Sequence, residues 1–99
     1  MTTYLKKVVL SCPTGSARGL QLLVEDFIKQ GVTFVAVVGE DCSRIEDIID
    51  EMVVGDGSDH QRFILTSSHP NQTVDDAVAF AKSLTGDYEG DDVQVVEIA

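Results

Sequence analysis

Four short apolar runs, separated by three stretches of helical period, constrain this 99-residue chain more than any other feature. The runs are Lys7-Val8-Val9-Leu10-Ser11, Val32-Thr33-Phe34-Val35-Ala36-Val37-Val38, Arg62-Phe63-Ile64-Leu65-Thr66 and Val93-Gln94-Val95-Val96-Glu97-Ile98. Residues 32–38 are apolar on both faces, as in a central strand of a covered sheet. Residues 93–98 partly alternate, as an edge strand does. Between the runs, Leu20, Leu23, Val24, Phe27 and Ile28 fall on one helical stripe that Gly31 stops. Ile45, Ile48, Ile49, Met52 and Val53 make a second stripe, opened by a capping box at Ser43-Arg44-Ile45-Glu46 and ended by Gly55. Val74, Ala77, Val78, Ala81 and Leu84 make a third, opened by Thr73 with Asp76 three residues on and closed by Gly86.

Strand and helix alternating through short connections imply right-handed crossovers, and so a parallel sheet covered on both faces. The expected fold is a single three-layer α/β domain over residues 1–99: β-α-β-α-β-α-β, with four parallel strands and three helices, Rossmann-like or flavodoxin-like. The most apolar strand is the second, which favours strand order 3-2-1-4 over 2-1-3-4. Ligands of open α/β sheets bind beyond the carboxyl ends of the strands, where helix N-termini also point. Three segments fall there: Cys12 to Gly19, Gly39 to Ser43, and Ser67 to Asn71. The loop from Gly55 to His60 belongs at the opposite edge, with His60 in solvent. Its Asp56 and Asp59 lack the spacing of a calcium loop.

Composition narrows the partners. Seventeen acids against seven bases give a net charge of −10, which repels phosphate backbones and anionic lipid. Nucleic acid and membrane surfaces are therefore not expected, whereas a basic partner protein would suit the charge. The same acids would also keep a small domain soluble. No apolar run approaches the ~20 residues that span a bilayer. Two cysteines without a secretory leader point to free thiols in a reducing cytoplasm.

The loop after the first run carries the chemistry worth weighing. Neither G-x-G-x-x-G nor a phosphate-binding P-loop is present, so no nucleotide cofactor is expected. Cys12 precedes a helix N-terminus, a position that lowers a thiol pKa and favours the reactive thiolate. Cys12-Pro13-Thr14-Gly15-Ser16-Ala17-Arg18 fits C-x5-R, in which an arginine fork holds a phosphate. These seven residues resemble the small tyrosine phosphatases, but Gly19 stands where those carry Ser or Thr, and no Asp-Pro supplies an acid. The loop is also similar to that of the fructose-type IIB phosphotransferase component. Cys12, Pro13, Thr14, Gly15 and Ala17 match, and Arg18 replaces a histidine. That resemblance implies phosphocysteine transfer at Cys12, and it stops after residue 19.

Residues 37–81 resemble small bacterial proteins that carry a domain of unknown function. Gly39, Glu40, Cys42, Val54-Gly55-Asp56-Gly57, Arg62, Phe63 and His69 carry the likeness, which implies a fold and no activity. Cys12, Arg18, Glu40, Cys42 and His69 are expected at one sheet edge, with Thr14, Gly15 and Ser16 beside them as ligand-binding candidates. Cys12, Cys42 and His69 are soft ligands, but no two are close in sequence as in structural zinc sites, so no metal is expected. For each cysteine, the plainer alternative is a small apolar residue packed beneath a helix. Two functions follow: a noncatalytic module that binds a basic partner protein or a small anion at the carboxyl edge, or cysteine-based phosphoryl transfer at Cys12 and Arg18.

Overall fold

Parallel pairing organises the computed structural model, which describes residues 4–55, 63–90 and 92–98. The elements in chain order are β1 (Lys7–Cys12), α1 (Leu20–Gln30), β2 (Phe34–Gly39), α2 (Cys42–Val54), β3 (Leu65–His69), α3 (Val74–Lys82), a 3-10 turn (Gly86–Tyr88) and β4 (Val93–Glu97). The four strands are all parallel in the order β3-β2-β1-β4, the preferred order. The loop 56–62, with His60, Asp56, Asp59 and Arg62, lies outside the described residues.

Alternation along β1 and β2 divides the core into two layers. Val8, Leu10, Cys12, Val35 and Val37 face α1 and α2, meeting Leu20, Val24, Phe27, Cys42, Ile45 and Ile49. Val9, Phe34, Ala36 and Val38 face the opposite way, against Ala77 and Ala81 of α3. Lys7 lies on the α3 side and is buried. Its ammonium donates to the Ala81 carbonyl at 2.8 Å and to the Gly90 carbonyl, so the end of α3 and the approach to β4 share one cation.

Other strands shift by one or two residues at their ends, and three boundaries differ in a way that has a local reason. The third strand covers Leu65–His69, not 62–66. Its pairing begins where the Leu65 amide donates to the Thr33 carbonyl at 2.9 Å, and it runs on through polar Ser67 and Ser68 because an edge strand needs no continuous apolar run. The second helix starts at Cys42 behind Asp41, which has φ 54° and makes no side-chain cap, so the expected box at Ser43 does not form. The third helix opens with the expected capping box between Thr73 and Asp76, but it ends at Lys82. Gly86 starts the 3-10 turn and does not close α3.

Candidate functional site

The carbonyl of Cys12 ties together the carboxyl edge of the sheet. It accepts the Gly15 amide at 3.2 Å from its own loop and the Glu40 amide at 3.0 Å from the loop after β2. Gly39 makes this approach possible: with φ +118°, a side-chain carbon there would lie 2.4 Å from the Cys12 carbonyl oxygen. Arg44 reaches back from α2 and donates to the Gly15 carbonyl at 2.8 Å, with its Nε 3.7 Å from the Asp41 carboxylate. The first two loops are thus joined twice, by backbone and by a guanidinium.

Parallel strands place Cys12, Glu40 and His69 at this one edge, through the pairs Cys12–Gly39 and Val38–His69. Their environments differ sharply. Cys12 is fully buried in the layer between the sheet and helices α1 and α2, and Cys42 is buried beside the same cluster. Burial, with a smaller contribution from Cys42, pushes the Cys12 thiol up to about 11. Thr14, Arg18 and Glu40 are exposed, and the half-buried Ser16 hydroxyl accepts the Arg18 amide at 3.1 Å. Gly15 is buried and spends its carbonyl on Arg44. His69 is not in a loop. It ends β3, and its ring nitrogens lie 2.8 Å from the Ser67 hydroxyl and 2.8 Å from the Gln72 side-chain amide oxygen Oε1. The Phe80 ring centroid lies 4.8 Å from that of His69, so the imidazole is packed and satisfied.

What stays open is a hollow of about 310 Å3 lined by Gly39 through Arg44, Pro70 and Asn71. Both loops that border it turn through non-glycine residues in the left-handed region, Asp41 at φ 54° and Asn71 at φ 63°. Aspartate and asparagine tolerate that conformation better than other side chains. The exposed Glu40 and Asp41 carboxylates stand at the rim, where the N-terminus of α2 favours negative charge. Among the described residues, no group of three or more His, Cys, Asp or Glu side chains is arranged to hold a metal ion. Nor is any helix among them long and apolar enough to cross a membrane.

A family model described as a domain of unknown function, DUF7684, matches residues 2–99. The chain belongs to the DUF7684 family. No curated protein and no solved structure matches it. In this DUF7684 chain, therefore, the site rests on its own geometry. Sequence reasoning missed Arg44 as the cation that reaches the first loop. Its place inside an apparent capping box gave no sign of a partner 29 residues away. It placed Asn71 in a carboxyl-edge segment without singling it out, since an asparagine after a proline in a turn is an ordinary turn signal.

Proposed function

We propose that this chain is a small, noncatalytic cytoplasmic module that binds a basic partner protein at the carboxyl edge of its sheet. One observation carries this: the hollow at that edge presents the exposed carboxylates of Glu40 and Asp41, while the Cys42 thiol in its lining and the Cys12 thiol are both buried. A lysine or arginine entering the hollow would meet both carboxylates, and the net charge of −10 would steer a cationic partner toward the molecule. The fructose-type IIB likeness asks for a thiolate at Cys12. A thiol raised to about 11 gives on the order of one thiolate in 10^5 molecules at pH 6. A small anion is the weaker ligand, because it would approach Glu40 and Asp41 while Arg44 is engaged at Gly15.

Titration of the 15N-labelled protein with a short oligolysine peptide tests the proposal. Amide shifts are expected at Glu40, Asp41 and Asn71, weakened roughly two- to tenfold by Glu40→Gln with Asp41→Asn. Shifts at residues 14–22 with inorganic phosphate, and none with oligolysine, would reverse the choice of ligand.

A further inference from the structure

The β3 edge of the sheet carries features outside the carboxyl-edge hollow. Parallel pairing with β2 employs the amides and carbonyls of alternate residues, beginning with the Leu65 amide on Thr33. Thr66 and Ser68 direct theirs to the open side of the strand. The strand Leu65-Thr66-Ser67-Ser68-His69 contains no lysine, glutamate, aspartate or proline, the residues that usually guard an edge.

The two faces flanking this edge differ in character. On the α3 side, the helix packs mainly over β1, β2 and β4, and it meets β3 through the Phe80 ring, 4.8 Å from that of His69. Leu65 and Phe80 are 39% and 41% exposed there, beside the buried Phe34 that pairs with Leu65 and lies 6.1 Å from the Phe80 ring, and Phe63, two residues before Leu65, is 60% exposed. On the α2 side, the Thr66 hydroxyl lies 2.5 Å from the Asp50 carboxylate and 3.0 Å from that of Glu46. A hydroxyl has one hydrogen to donate, so at any moment it satisfies one of the two carboxylates. Val54, one turn beyond Asp50, shares a hollow with it.

A strand laid along β3 would place alternate side chains on these two faces. One set would meet Leu65 and Phe80, and the other Glu46 and Asp50. From this we infer that the β3 edge is a docking site for an extended segment of a partner protein in which apolar and basic residues alternate. The backbone of Thr66 and Ser68 would supply the pairing, and the two faces would set the register. Charge decides the occupant: a second copy would bring another chain of net charge −10 to an edge already flanked by carboxylates. The inference does not depend on Glu40 or Asp41, and it stands or falls separately from the carboxyl-edge proposal.

The test uses the intact chain and an acetylated hexapeptide alternating lysine and valine as probe. Binding is expected to shift amides across residues 63–69 and to slow hydrogen exchange at Thr66 and Ser68. The same peptide carrying N-methyl groups on the amides that face β3 should lose at least tenfold in affinity, a control that leaves the protein untouched. Glu46→Gln with Asp50→Asn should weaken binding roughly two- to tenfold at low salt. Equal binding of the methylated peptide would overturn the proposal, as would shifts confined to β4 or to Glu40 and Asp41. Concentration-dependent dimers in sedimentation, abolished by Ser68→Pro, would also overturn it by making a second copy the occupant.

Discussion

The Cys12 side chain fills a slot beneath α1 and α2, while its carbonyl holds the amides of Gly15 and Glu40. The backbone of this residue organises the carboxyl edge, and the sulfur serves the core. That division was not legible in the sequence, because a cysteine before a helix reads the same whether its side chain points into the loop or beneath it. The direction was set by alternation: Cys12 shares the parity of Val8 and Leu10, which face the two helices. A consequence for pH follows. The folded state raises the Cys12 thiol from about 9 to about 11, favouring the neutral form. That contribution to stability is complete below pH 9 and is lost as pH rises through 11, on the order of 3 kcal/mol in all. Urea melts from pH 8 to 11 should show a steeper loss for the native chain than for Cys12→Ala. Parallel pH profiles would show that the thiol is not desolvated.

Helix starts separate a pattern from its physical basis. Thr73 and Asp76 match a capping box and form one, with the Asp76 amide on the Thr73 hydroxyl at 3.1 Å and the Thr73 amide on the Asp76 carboxylate at 3.0 Å. Ser43 and Glu46 match the same pattern and do not, because α2 has already begun at Cys42. The chain turns through Gly39 and Asp41 close to Cys12, and burying Cys42 commits the helix one residue before Ser43. The Ser43 hydroxyl lies instead 3.2 Å from the Ser68 hydroxyl, in an exposed contact. Thr73→Ala should therefore cost about 1 kcal/mol, and Ser43→Ala less than about 0.5 kcal/mol. Chemical denaturation of the two variants checks this; equal losses would put a cap at Ser43. The third strand shows the converse limit. The apolar run at 62–66 marked Ile64, which is buried in the core, while the strand residues Ser67 and Ser68 carry no hydrophobic signal at all.

Across the whole molecule, the period of the sequence was enough for the architecture. Four runs and three stripes gave the alternating elements, and the apolar weight of residues 32–38 placed β2 inside the sheet with β3 and β4 at its edges. The functional surfaces were only partly legible. Glu40 and Arg18 are exposed at the expected edge, but Cys12, Cys42 and His69 are held in packing that depends on contacts distant in sequence. Among the described residues both thiols lie in the core, and the carboxylates and phenylalanines exposed at the surface are the groups on which the two binding proposals rest. Iodoacetamide labelling of Cys12, followed by mass spectrometry across a urea series at pH 6, is the most direct check. Cys12 should remain unlabelled in buffer and label in proportion to the globally unfolded fraction, unaffected by Arg18→Ala or by millimolar phosphate. Rapid labelling of Cys12 in the absence of urea, slowed by phosphate or by Arg18→Ala, would contradict a buried thiol and restore cysteine chemistry to the loop.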